Sequence, residues 1–250
     1  MRQKSRSPED NDTTRDHWKP LYRAGAVAPL VTMATYVVEV VGVLLVGDNY
    51  PTKALDWFSL FADGKLLGLL ALNVFDVISI ALLGVMFVAL YIVLRQWSQS
   101  IMLIALFFAL LGITVFVASR ADMGSTMLKL SDQYAAAATQ PQRDQLLAVA
   151  QALAVSVRAT SDTMGFFFVA AASLLISIVI LRSKAFDRAT AYVGIFGFIV
   201  TLVSRVSLVT GASLSGALMP VNGLAWLIWW VLVSRSLFRL SNQRSKKPIG

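Results

Sequence analysis

The sequence predicts an all-α fold, a polytopic transmembrane bundle of six spans, and three observations carry that expectation. The chain of 250 residues is 57% hydrophobic and only 14% charged, with a mean hydropathy of +0.68, outside the range of a soluble globular domain. Its long apolar segments follow one another across mostly short polar gaps, which indicates one bundle rather than a soluble domain on an anchor. The stretch GIFGFIVTLVSRVSLVT, Gly194 to Thr210, carries Arg205 inside a segment apolar enough to cross a bilayer. Gly194, Gly197, Thr201, Ser204 and Arg205 share one helical face. A guanidinium at that depth costs about 2.5 to 3.5 kcal/mol on insertion scales, so Arg205 must face protein or water and needs an acidic partner.

Residues 1–20 are polar and mixed in charge and read as a disordered tail. They are not a cleavable signal peptide, because the apolar run begins late, is long and follows several acids. Span one covers about 23–46, with Gly25, Ala28, Thr32, Thr35, Tyr36, Glu39 and Gly42 on one face. After it, Ala54, Trp57, Phe58 and Phe61 form the apolar side of a short helix expected to lie in the membrane interface. Span two covers about 66–94, span three about 101–119, closed by Arg120. The alanine-rich interval that follows, divided by Pro141, predicts an extramembrane αα hairpin. Span four, about 163–181, is expected to start at Ser161 and Asp162 as N-cap residues. Span five covers about 189–210, Gly211 to Ala217 read as a loop, and span six covers about 218–237. The multispan domain is thus 21–240, and 241–250 form a basic tail.

Lysine and arginine in the N-terminal tail, at Arg95, in the Arg182 to Arg188 turn and in the C-terminal tail outnumber those on the other side by more than two to one. That asymmetry predicts both termini in the cytoplasm of a cell with a plasma (inner) membrane. It also accounts for the net charge of +8 and the pI near 10 without a nucleic-acid partner, since no aromatic interleaving accompanies the basic residues.

With orientation set, a rise of about 1.5 Å per residue through a core of about 30 Å brings Glu39, Asp76 and Arg205 to compatible depths in the outer half. The expected site is a polar cluster in which Arg205 bridges Glu39 and Asp76, with Asn73, Asn222, Tyr36 and Ser204 completing its hydrogen bonds. Two carboxylates around one guanidinium leave room for a shared proton or a cation. Such a cluster equally serves as an interhelical fastener that binds nothing.

Several chemistries are excluded by composition. The chain has no cysteine, and its single histidine, His17, lies in the N-terminal tail, so thiolate and intramembrane histidine metal sites, haem ligation by histidine and cysteine nucleophiles are absent. No mid-membrane lysine is available for a Schiff base. With no nucleophile elbow or phosphate loop either, no catalytic residue, metal or cofactor is assigned and the chain is not read as an enzyme. The functional expectation is a protein that binds or translocates a small or lipid-derived ligand or a cation through its outer-half polar pocket. The rival is a structural or accessory subunit docked on a larger membrane complex or on a second copy. Beyond the lipid bilayer itself, those are the partners considered.

Three segments carry a resemblance: SDQYAAAATQPQRDQLLAVAQALAV, SDTMGFFFVAAASLLISIVILRSKAFDRATAYVGIFGFIV and GLAWLIWWVLVSRSLFRL. The Ala-rich helix ahead of span four, the polar turn leading into AYVGI and the Trp-rich last span resemble the bacterial and archaeal multi-pass membrane proteins of domain-of-unknown-function family 4386. The resemblance covers most of 25–240 and implies six spans in a bacterial membrane. It supplies no substrate and no catalytic residues.

Overall fold

The computed structural model describes residues 8–46, 51, 53–71, 76–210 and 214–243. Within its helices, the side chains of 8–16, 39–40, 42–46, 71, 158–159, 161–162, 208–209, 214–217 and 219 lie outside that description. The described residues contain helices and no strand. In chain order they are α1 (Pro8–Val46), α2 (Ala54–Asp63), α3 (Lys65–Ala71), α4 (Asp76–Leu94), α5 (Gln99–Ala136), α6 (Gln140–Val157), a π segment (Arg158–Gly165), α7 (Phe166–Arg182), α8 (Arg188–Thr210) and α9 (Leu214–Asn242). Six of these segments are long and apolar enough to cross a membrane: His17–Val38, Asp76–Leu94, Gln99–Ala136, Thr163–Arg182, Arg188–Ser207 and Pro220–Asn242. Only helices and closed barrels satisfy their own backbone polar groups in lipid, and this chain takes the first route.

The six spanning helices pack in chain order as a closed ring. Helix α1 abuts α4, α4 abuts α5, α5 abuts α7, α7 abuts α8, α8 abuts α9, and α9 returns to α1, with a smaller contact of α4 on α7 across the middle. Gly25 near the start of the first span lies against Leu237 near the end of the last, so the start of the first span and the end of the last fall at one end of the ring, here the tail end. The opposite end carries α2, α6 and the second half of α5, and is here the cap end.

Packing is uneven along the ring axis. The largest fully buried side chains of the spans are Met86, Phe87, Leu90 and Leu94 of α4, Met102 of α5, Ile176, Val179 and Ile180 of α7, and Trp229, Val233 and Leu237 of α9. All sit in the tail-side halves of their helices; Met127 of α5, equally buried, belongs to the cap. A second apolar cluster forms the cap, from Ala54, Trp57, Phe58 and Phe61 of α2, Met123, Met127 and Leu130 of α5, and Ala150 and Val157 of α6.

The cap explains several departures from the sequence reading. Helix α5 does not end at Arg120 but runs on to Ala136. At about 1.5 Å per residue, its 38 residues reach nearly twice the thickness of the hydrocarbon core, so its polar second half must project. Nothing between Arg120 and Ala136 breaks a helix, and Met123, Met127, Leu130 and Tyr134 form a stripe at helical spacing that docks on α2 and α6. The hairpin turn therefore falls at 137–139, and Pro141 sits in the first turn of α6, where its missing N–H is no loss. The apolar face of α2 is the one its spacing predicts, yet protein covers it rather than the lipid interface. Ala54 donates its N–H to Gln151 at 3.2 Å, and Phe58 packs on the Tyr134 ring at 5.1 Å. Lys65 pairs with Asp132 at 2.9 Å, but with both side chains about 60% exposed that pair adds little. The hydrophobic effect holds the cap where it stands in water, at about 1.5 to 3 kcal/mol per large buried side chain.

Other boundaries shift as well. Residues 8–20, read as part of a disordered tail, belong to α1. Span two contains two described helices, α3 and α4, with 72–75 outside the description. Leu214 already belongs to α9, inside the stretch read as a loop. Ser161 and Asp162 do not cap a helix start, because the chain continues from α6 through the π segment into α7, with Val157 and Gly165 both in the right-handed helical region. The wider π turn lies where the chain passes from cap to span, and such turns mark functional or strained places in helices. Here α5 and the π segment meet backbone to backbone: a Cβ on Gly112 would stand 2.6 Å from the Gly165 carbonyl oxygen.

Because that oxygen belongs to backbone, it cannot rotate away. Gly112→Ala is expected to lower stability by about 1 to 3 kcal/mol, the usual cost of overpacking, seen as a reduced Tm in detergent. Gly84→Ala is the control, since its nearest neighbours would be side-chain atoms at 3.8 Å. It should leave Tm unchanged or raise it; equal losses in both variants would refute the backbone contact.

Candidate intramembrane polar site

Between the apolar core at the tail end and the cap, three knots of polar and cationic side chains join the spanning helices. The first joins α1 to α4. Thr32, 2% exposed, donates its hydroxyl either to the Ser79 carbonyl oxygen at 2.9 Å or to its own helix at Ala28, 3.1 Å. Ser79 in turn donates to the backbone oxygen of Asp76 at 3.1 Å, with the Asp76 carboxylate at 3.4 Å. Asp76 therefore opens α4 at the level where α1 crosses it, and an acid in the first turn of a helix complements the helix dipole.

The second knot joins α8 to α9 through Thr201. Its hydroxyl donates either to Asn222 Oδ1 at 2.7 Å or to the Gly197 carbonyl at 2.8 Å, and it accepts the Trp226 indole N–H at 3.1 Å. Helix α8 comes close enough for this because Gly197 and Ala225 face each other, with only 3.6 Å between the Ala225 methyl and the place a Cβ would take on Gly197. Small residues at such crossings let polar side chains bond across helices.

The third knot joins α5, α7 and α8. The guanidinium of Arg205, one turn beyond Thr201, lies over the Phe166 ring at 5.2 Å. Phe166 meets Phe116 edge to face at 5.3 Å, and the guanidinium of Arg120 lies over Phe116 at 5.4 Å. Two cations thus bracket one aromatic pair. Each ring face stabilises its guanidinium by about 0.5 to 2 kcal/mol, more where water is excluded.

Of the residues proposed from sequence, Asp76 belongs to the first knot, Asn222 to the second and Arg205 to the third. Ser204 is buried beside Arg205 on α8, while Tyr36 is 46% exposed. The side chain of Glu39 and all of Asn73 lie outside the described residues. Arg120, Phe116 and Phe166 were not singled out from sequence. A signal existed for one pair, since Phe116 and Arg120 stand four apart on one helix face; nothing in the order of residues couples Phe166 to Arg205. Among the described residues no group of His, Cys, Asp or Glu is arranged to hold a metal ion.

The sequence from 30 to 233 matches the family described as Domain of unknown function (DUF4386). The chain belongs to this family. No curated protein and no solved structure matches it. The DUF4386 region begins inside α1 and ends inside α9, so it encloses all three knots and every residue proposed from sequence. Together with six helices of spanning length, it identifies a multi-pass integral membrane protein.

Thr201 is the hub of the second knot, and its removal leaves Asn222 and the Trp226 indole without their shared partner. Thr201→Val should lower stability by about 1 to 3 kcal/mol and shift Trp226 fluorescence. Thr210→Val removes only bonds to the backbone of its own helix and should change little. An unaltered Tm and emission spectrum in Thr201→Val would refute the hub.

Proposed function

We propose that this DUF4386 protein binds a small or lipid-derived ligand, or a cation, in the cap-side half of its ring, with Arg205, Ser204, Asn222 and Asp76 as the side chains that meet it. The supporting observation is the division along the ring axis: large apolar side chains fill the tail-side half, whereas the cap-side half carries ionisable and amide groups. Intramembrane ionisable residues commonly mark ligand or ion paths, and a polar region among helices is where bundle proteins place such sites. The lysine and arginine distribution supports a cytoplasmic tail end, with the cap on the outer face. On this reading the protein binds and releases without covalent chemistry.

Two experiments test it. Native mass spectrometry of mildly extracted protein should find a bound species on the wild type, reduced at least tenfold in Arg205→Leu and partly retained in Arg205→Lys. A wild type with no bound species and no thermal shift in total lipid extract would overturn the reading. For orientation, a C-terminal fusion to green fluorescent protein should fluoresce in a bacterial host and one to alkaline phosphatase should be inactive; the opposite pattern would reverse the assignment.

A further inference from the structure

Toward the tail end, α1 fits closely into the angle between α4 and α9. A Cβ on Gly25 would stand 2.5 Å from the Ala89 methyl of α4 and 3.5 Å from the Leu237 side chain of α9. Eleven residues on, three turns and about 16 Å nearer the cap, Tyr36 projects from the same face of α1. Gly25 is buried there, yet Tyr36 is 46% exposed. The facing stripe of α9 changes in the same direction. Leu237, Trp230 and Gly223 recur at seven-residue intervals, which keeps them on one side of the helix. Leu237 is fully buried, Trp230 only partly so, and a Cβ on Gly223 would meet nothing within 4 Å. Helices α1 and α9 thus meet at the tail end and part toward the cap, which leaves a wedge-shaped opening between them at membrane depth.

The chemistry of the wedge differs between its side and its rim. Val37 and Leu224, on the outward faces beside it, are exposed and apolar, so the opening gives on hydrocarbon. The cap-side rim carries donors. Asn222, next to Gly223 and partly exposed, accepts from Thr201 through Oδ1, and its amide N–H groups are left to donate elsewhere. The Tyr36 hydroxyl is a second donor. Tyr36 lies two residues inside the cap-side end of the span His17–Val38, and Asn222 two residues inside that of Pro220–Asn242, or about 3 Å in each case. At that level the hydrocarbon core gives way to the polar groups of the lipid.

We propose that the wedge between α1 and α9 is a binding site for a glycerolipid of the bilayer, with one acyl chain along Trp230 and Gly223 and an ester carbonyl accepting from Asn222 and Tyr36. Only a molecule dissolved in the membrane reaches the opening from its side. An apolar chain that ends in oxygen acceptors matches an apolar groove that ends in donors. Glycine at 223 keeps the groove open, since any side chain there would enter it. The proposal deepens the binding reading above and rests on it through Asn222, adding the class of the ligand and its entry from the bilayer.

Native mass spectrometry tests it on full-length protein reconstituted in vesicles of phosphatidylethanolamine and phosphatidylglycerol and then extracted in mild detergent. The wild type should retain one phospholipid. Gly223→Phe should retain at least tenfold less at an unchanged Tm, because its Cβ enters open space. Ile199→Phe, at an exposed position on α8, should bind as the wild type does. A second measurement needs no variant: a phosphatidylcholine with a diazirine in its acyl chain, illuminated in vesicles with the wild type, should label the peptides holding Tyr36 and residues 223–230 at least fivefold more than the peptide holding Ile199. Even labelling of all three, equal retention by Gly223→Phe and wild type, or a wild-type dimer that Gly223→Phe splits would overturn the lipid site. Arg205→Leu separates the two readings. Lipid lost in Gly223→Phe and kept in Arg205→Leu upholds the wedge and sinks the Arg205 site, whereas a species kept in Gly223→Phe and lost in Arg205→Leu does the reverse.

Discussion

The close seat of α8 between α7 and α9 is the constraint on which the rest depends. In lipid no hydrophobic force draws helices together, so association relies on close packing and on interhelical hydrogen bonds. Gly194 and Gly197 remove the side chains that would hold α8 away from Trp229 and Ala225. Only at that separation can the Thr201 hydroxyl reach Asn222 and accept from Trp226. The same seat turns Arg205 toward the Phe166 ring on α7, giving a membrane-depth cation an aromatic surface.

Two different forces therefore hold one molecule. The cap is assembled from Trp57, Phe58, Phe61, Met123 and Met127, large side chains whose removal from water stabilises them directly. The ring is assembled from interdigitated Leu, Met, Ile and Trp at the tail end and from polar knots nearer the cap. Helix α5 belongs to both, as one continuous rod from Gln99 to Ala136. The π segment links the cap arm α6 to α7 on the other side, next to the aromatic pair that the two arginines bracket. The cap is thus continuous with the third knot through α5 on one side and through α6, the π segment and α7 on the other.

Much of this was legible in the order of residues. Runs of apolar residues with capped or charged ends locate the spans, because a helix crossing about 30 Å of hydrocarbon needs about 20 such residues. The stripe Gly194, Gly197, Thr201, Ser204 was visible as one face, and so was the polarity of the cap-side half through Asp76, Asn222 and Arg205. The apolar face of α2 was equally plain. What covered that face was not, since spacing shows which side is buried and says nothing of whether lipid or protein buries it. Arg120 read as the end of a span for a similar reason: a charge marks the limit of the membrane, while a helix stops only where its backbone is broken.

By itself, then, the sequence determined the fold class and the number of helices long and apolar enough to cross a bilayer, both of which follow from local composition and helical period. Tertiary structure alone decided the closed ring, the docking of α2 onto α5 and α6, the meeting of Gly112 with Gly165, and the placing of the Arg205 guanidinium over the Phe166 ring. Those contacts depend on the relative rotation and translation of separate helices, and many helices with the same polar stripe are free to choose different neighbours. Periodicity describes one helix at a time; which face meets which is settled only when all six pack together.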